Sequence, residues 1–381
     1  MISQHNQVPQ QFVESFRSAT PRVAEEGLLF DFQQTQRVRK PVARGLIKSS
    51  VEDFIVEEEL EFEPAGTGEH LFLLIEKSGV NTGWVADQLS AYFNIRKMDV
   101  GFAGRKDRQA VTRQWFSCYL PGNNKVYADP KGFNLEGVRV LSVARHEKKL
   151  RKGELAGNLF RIRVRDIKPL DSEAGSAPAI NQLLEGRLKN LMEEGFPNYF
   201  GEQRFGINGE NLIRALEYFD CCINIRKEAS GAGRRSAGKK IASLRRRLGK
   251  SDLYLSAARS WLFNIWLNQE ILSGRWSDLA NGSGPLYGDG DDRSVYPQGV
   301  CQQLCEGLDE QRVKSGIRKA RVLPERLSWE IDSESEKEAC ATIVLEFFLP
   351  SGSYATSFLR ELFLYQSPGI PESGGLRDRH E

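Results

Sequence analysis

No two cysteines in this chain are spaced CxxC, and only four histidines accompany its six cysteines. Ligands this sparse give no zinc site, and Cys118, Cys221, Cys222, Cys301, Cys305 and Cys340 form no evident disulfide framework. Long apolar runs are also missing. The longest, Leu71 to Ile75, is far short of the roughly 20 residues of a membrane helix, and the polar N-terminus lacks the apolar stretch of a signal peptide. A cytoplasmic protein with no membrane contact is expected, and no protein partner is indicated. What the chain does have is 381 residues with 40% hydrophobic content, enough for a sizeable core and two or three domains.

A net charge of +2 hides a strong unevenness. Residues 52–63 carry seven acids, residues 226–250 carry ten Lys or Arg against one Glu, and residues 145–152 add five cations. Blocks of this kind suit a polyanion, although a solvated surface gives the same pattern.

Residues 1–40 are polar and without periodicity and read as an extension. Beyond them, Phe54 to Leu60 and Leu71 to Glu76 read as strands joined by a Pro/Gly turn, a hairpin signal. After Asn81, residues Trp84, Val85, Leu89, Tyr92 and Phe93 recur at helical spacing. Met98 to Ala103 and Trp115 to Leu120 read as strands, which puts Asp107 on a loop carried by a sheet. Strands at 138–144 and 159–165 and a helix near 180–194 complete a mixed, largely antiparallel α+β pattern. From about 224 to 322 the character changes, with a basic Gly/Ala/Ser-rich opening, a long helix at 252–273 and glycine-dense turns, so this stretch is expected to be a second domain inserted into 41–223 and 323–381. Ala341 to Leu349 reads as a buried strand feeding a helix over 353–364.

Four clusters carry candidate chemistry. In GRKDR (104–108), Asp107 stands among Arg105, Lys106 and Arg108, whose charges favour its ionised form below the roughly 3.9 of a free aspartate. An anionic Asp serves as a nucleophile or base, or else pairs at a surface turn. PNYFGEQRFG (197–206) interleaves Asn198, Tyr199 and Phe200 with cations, as base stacking and edge contacts require, or as a connecting loop would. LPSGSYATS (349–357) breaks a strand and offers Ser353 as a cap and a helix N-terminus to a phosphate. EDFIVEE (52–58) opens a strand on Phe54, which reads as core.

These clusters resemble the TruD family of tRNA pseudouridine synthases. The resemblance runs from about Gly45 to Leu364 through GLIKSSVEDFIVEEEL (45–60), FAGRKDRQAVTRQWF (102–116), ARHEKKLRKGELAGNLF (144–160), PNYFGEQRFG, LSAARSWLFN (255–264) and LPSGSYATSFLREL (349–362). It implies the pseudouridine synthase sheet with an inserted second α/β domain, tRNA as partner, uridine 13 of the D arm as target, and no metal or organic cofactor. Asp107 matches the family's catalytic aspartate. Phe54, Asn198 and Tyr354 match positions at the target nucleotide, the last with Tyr where the family often has Phe. With Phe200 they are candidates for holding the base, and Lys48, Arg105, Lys106 and Arg108 for holding phosphates. Two other functions stay open: a noncatalytic RNA-binding protein of the same fold, and a glycoside hydrolase, which needs a second carboxylate and has only Glu202 to offer.

Overall fold

The computed structural model describes residues 37–122, 127–170, 177–206, 209–229, 234–249, 251–279, 282–332 and 341–367. Most of the 1–40 extension, the Gly231–Gly233 stretch and Cys340 lie outside these residues. In chain order the elements are β1 (Ala43–Leu46), β2 (Phe54–Glu59), β3 (His70–Ser78), α1 (Thr82–Tyr92), β4 (Val100–Phe102), β5 (Val111–Tyr119), β6 (Asn134–Leu135), β7 (Val138–His146), β8 (Gly157–Pro169) and α2 (Ala177–Glu194). There follow β9 (Phe196–Pro197), α3 (Glu210–Lys227), α4 (Arg234–Leu248), α5 (Ser251–Leu272), β10 (Ser283–Leu286), α6 (Val300–Glu310), β11 (Gly316–Lys319) and β12 (Arg321–Val322). The last are β13 (Glu325–Asp332), β14 (Ala341–Pro350), the one-turn α7 (Ala355–Leu359) and β15 (Phe363–Gln366).

The chain divides into two compact units. One comprises Lys40–Gly195, Leu323–Ala355 and the chain from Leu359 on. Its sheet runs β13-β14-β8-β2-β5-β3-β7-β6, with β4 on β5 and β1 joining β8 to β15. Every described pair in it is antiparallel except β2 with β5 and β1 with β15, giving a mixed, largely antiparallel α+β fold. The hairpin expected of β2 and β3 is not formed. Both strands pair with β5, which lies between them: Ile55 aligns with Val111 and Lys77 with Thr112. The turn signal at Pro64 to Gly68 therefore marks a connection that steps over a strand.

Alternation along β3 assigns the layers. Leu71, Leu73 and Ile75 pack with Phe116 and Cys118 of β5 against Val85 and Leu89 of α1. Phe72 points to the opposite face, onto Leu150 and Leu155. The helix expected over 353–364 is cut short at Leu359, because Phe363–Gln366 is drawn into the sheet as β15, in parallel register with Ala43–Leu46.

The other unit contains Phe196–Val322 and Thr356–Phe358. Its core is helical: Ala257, Ala258, Trp261, Leu262, Phe263 and Leu267 bury much of α5, and α3 and α6 pack on it. The boundary drawn at 224 from composition falls inside α3, a continuous helix. The basic run forms α4, which turns Ala237, Ile241 and Leu244 inward at helical spacing and leaves Lys239, Arg245 and Arg246 exposed. Cys118, Cys222 and Cys305 are buried, and burial pushes their thiols up to about 12, as expected of packing residues.

Candidate active site

Asp107 sits on the loop between β4 and β5, on the sheet face that α1 also covers. Beneath the loop that face is polar. Glu58 of β2, Lys77 of β3 and Thr112 and Gln114 of β5 are all buried, and each occupies a position where strand alternation would otherwise continue the apolar layer. The floor holds the loop by hydrogen bonds. Gln114 Nε2 donates to the Gly104 carbonyl at 3.1 Å, and Thr82 Oγ1, at the start of α1, accepts from the Lys106 N–H at 3.0 Å and donates to Gln114 Oε1 at 2.8 Å. Lys77 Nζ donates to the carbonyls of Val80 at 3.0 Å and Asp107 at 3.1 Å.

The carboxylate of Asp107 is bonded by Lys48 Nζ, and its Oδ1 accepts from the Gln109 N–H at 3.0 Å. Burial would push its carboxyl up, but the Lys48 ammonium, the Gln109 N–H and the charge of Lys77 outweigh this and hold it below the ordinary aspartate range. Lys48 follows β1 in a left-handed conformation, φ 55°, which is strained for a side chain of this size. Its neighbour Ile47 is pinned by an N–H bond to the Gln366 carbonyl of β15 at 2.9 Å.

Lys48 also brings in Phe54: its Nζ lies 4.6 Å from the ring centroid. The ring is 5% exposed and meets Phe160 edge-on at 6.2 Å. The start of β2 is fixed by the fully buried Asp53, which takes a two-pronged bond from Arg165, both arms at 2.8 Å, and the Ser50 N–H at 3.1 Å. Burial works against the Asp53 charge, yet Arg165 and that N–H leave its carboxyl below the ordinary range. Since β2 and β5 are parallel, Phe54 and the loop entering β5 stand at the same end of the two strands.

The other cations of the cluster differ among themselves. Lys106 reaches inward, bonding Asn158 of β8 and pairing with Glu58 at 3.1 Å. Burial pushes the Glu58 carboxyl up despite that ammonium. Arg108 is exposed but donates to the Gly79 carbonyl at 2.9 Å, and Arg105 is exposed. The field at Asp107 thus comes from Lys48 and Lys77 rather than from its neighbours in sequence. Tyr354 is half-buried in the turn after β14, which the Ser351 N–H ties to the Ala156 carbonyl at 2.8 Å. The basic stretch before Ala156 lies over β4: Gly153 N–H donates to the Ala103 carbonyl at 2.8 Å, and Lys148, Arg151 and Lys152 are exposed.

Asn198 and Phe200 belong to the other unit. Asn198 is 2% exposed; its Nδ2 donates to the Lys319 carbonyl at 2.8 Å, and its buried Oδ1 accepts no hydrogen bond. The Arg318 guanidinium lies 3.7 Å from the Phe200 ring centroid and donates to the Asn198 carbonyl at 3.0 Å. Asn264 of α5 clasps the Phe200 main chain at both ends, at 2.9 and 3.0 Å. Tyr199 is core, its hydroxyl on Asn268 at 2.6 Å. Glu202 is exposed in the one-turn helix Glu202–Arg204 of this unit.

Lys77, Thr82, Gln114 and Asn158, and in the other unit Asn264 and Arg318, were not singled out by sequence reasoning. A charged or amide residue at every second place of a strand is what a solvent-facing edge also looks like, so only Lys77, which breaks the apolar series Leu71, Leu73, Ile75, carried a readable signal. Among the described residues no group of three or more His, Cys, Asp or Glu is placed to hold a metal, and no helix is long and apolar enough to cross a membrane.

The family model described as tRNA pseudouridine synthase D (TruD) matches residues 36–213. The tRNA pseudouridine synthase D of Colwellia psychrerythraea is 36% identical over 370 residues, covering 86% of this chain and 92% of that protein. That of Cellvibrio japonicus is 37% identical over 358 residues, covering 88% and 95%. A crystal structure assigned to tRNA pseudouridine synthase D of Methanosarcina mazei shares the fold at a TM-score of 0.55 and 21% identity, covering 89% of this chain and 97% of that one.

Proposed function

Because this chain belongs to the tRNA pseudouridine synthase D family, we infer that it isomerises uridine to pseudouridine in tRNA, with the Asp107 carboxylate acting at the ribose. The observation that carries the reading is a carboxylate held ionised in a partly buried loop by Lys48, beside the ring of Phe54. The reaction breaks the N1–C1′ bond, turns the uracil, forms C5–C1′ and releases the C5 proton. An anionic Asp107 starts it either by attacking C1′ or by removing the C2′ proton. Both bond changes are redox-neutral, so no step calls for an electron carrier. The target we propose is uridine 13 of the D arm, on the family resemblance, and a tRNA substrate implies a cytoplasmic setting.

The base must leave its stack to be reached, and aromatic and edge contacts offset that cost. Phe54 and Tyr354 are the proposed walls. Asn198 is proposed to read the uracil edge: Nδ2 spends one of its two hydrogens on Lys319 while Oδ1 accepts no hydrogen bond, so an acceptor is available that suits the N3–H of uracil. Phe200 is assigned to substrate binding through the Arg318 guanidinium it carries. Arg105 and Arg108 are assigned to phosphates as exposed cations, whereas Lys48 and Lys106 act chiefly by holding Asp107 and its loop. We take the unit of the large sheet as the catalytic domain and Phe196–Val322 as the inserted domain.

Asp107→Asn tests the assignment. It keeps volume and hydrogen-bonding reach but supplies no anion, so tritium release from tRNA labelled at uridine C5 is expected to vanish while filter binding persists, since phosphate contacts dominate affinity. An aspartate that only paired at a surface turn would be worth under about 1 kcal/mol, a rate loss below about tenfold. Substantial release by the variant overturns the assignment, and no release by the unaltered protein returns the noncatalytic reading.

A further inference from the structure

We propose that Lys77 is a positioning residue for the reaction, its buried ammonium fixing the main chain of Asp107 to the turn that leads into α1. The proposal rests on the reading of Asp107 as the reacting carboxylate. Lys77 is 0% exposed, and its Nζ joins two carbonyls 27 residues apart in sequence, those of Val80 and Asp107. Its side chain stands on the face of β3 that carries Leu71, Leu73 and Ile75, opposite the buried Thr112. An apolar residue would continue that layer, so the fold alone has no need of a charge there.

Keeping the ammonium dry is costly: burial pulls Lys77 down to about 8 although Asp107 pulls the other way. A buried charge spent on the main chain of a reactive residue, rather than on a core partner, is the arrangement expected of a site whose geometry matters more than its stability. The charged groups that act on it are Asp107 and Lys106 on the loop, which are themselves paired with Lys48 after β1 and Glu58 on β2. Lys48 engages the carboxylate and Lys106 the floor, which leaves Lys77 holding the Asp107 backbone itself. Without that tether the carboxylate stays in the site but off its line of approach, and a shift of about 1 Å at a reacting group can cost on the order of 100-fold in rate.

The test compares Lys77→Met and Lys77→Gln with the unaltered full chain, using single-turnover tritium release and filter binding on the same tRNA. The chemical step is expected to slow by about 10- to 100-fold while the tRNA dissociation constant changes by less than about threefold, because Lys77 faces no solvent. A wild-type rate in either folded variant, or a loss of rate matched by an equal loss of affinity, overturns the proposal. If Lys77→Met does not fold, Lys77→Gln, which is one bond shorter and carries no ammonium to join the two carbonyls, decides alone. Asp107→Asn runs alongside. If it retains activity, the reading of Asp107 fails; if it is inactive while the Lys77 variants are normal, only the present inference fails.

Discussion

Asp107 keeps its charge because the amines around it come from distant parts of the chain. Lys48 is 59 residues away, after β1, and Lys77 is 30 away, on β3 beside β5. The Arg and Lys beside it in sequence do different work: Lys106 turns down into Glu58 and Asn158, and Arg108 bonds Gly79. At Tyr354, the residue that departs from the family's usual Phe, the ring is proposed to stack on the base. Tyr354→Phe is therefore expected to keep most of the single-turnover rate, whereas Tyr354→Ala should lose about 1–3 kcal/mol of substrate interaction. A Phe variant as damaged as the Ala variant would make the hydroxyl the working group. At this scale the sequence exposed Asp107, Lys48 and Phe54 through their strings. It hid their relation, since a pairing across 59 residues leaves no local trace.

At the scale of elements, the opening strands were legible as strands but not as partners. β2 and β3 have good alternation and a turn between them, and nothing local tells that β5 lies between them. The single helical turn at Ala355–Leu359 shows the same limit: apolar spacing over 353–364 suits a helix, and only the distant β1 makes Phe363–Gln366 a strand. Tightness near the site centres on Gly101 in β4. A Cβ built there would lie 2.3 Å from the Leu150 carbonyl oxygen and 2.6 Å from Ser117 Oγ, with the Leu150 N–H already bonded to that hydroxyl. Gly101→Ala is expected to push the basic stretch 148–153 off β4 and to cost about 1–3 kcal/mol, read as a lower thermal midpoint. An unchanged midpoint would mean that this stretch yields freely.

For the whole molecule, charge distribution and long family strings carried most of what could be read. The change of composition near 224 does not mark the start of the compact unit that contains Phe196–Val322, because α3 continues through that change. Helix α4 has the surface chemistry of a phosphate-binding face, with its apolar side already spent on the core. Changing Arg234, Arg235, Lys239, Lys240, Arg245, Arg246 and Arg247 to Ser leaves Ala237, Ile241 and Leu244 in place. It should weaken tRNA binding and flatten its log–log salt dependence by roughly 0.7–0.9 for each phosphate no longer neutralised; an unchanged slope would make the run a solvated surface. The pairing of β1 with β15 has a consequence for biosynthesis. Residues 43–46 leave a ribosome well before the strand that clamps them, through Gln366 onto Ile47, which is made some 320 positions later. Until then the turn that carries Lys48 lacks that clamp, so, on the role proposed for Asp107, a growing chain can display every other part of its sheet before its carboxylate gains the lysine beside it.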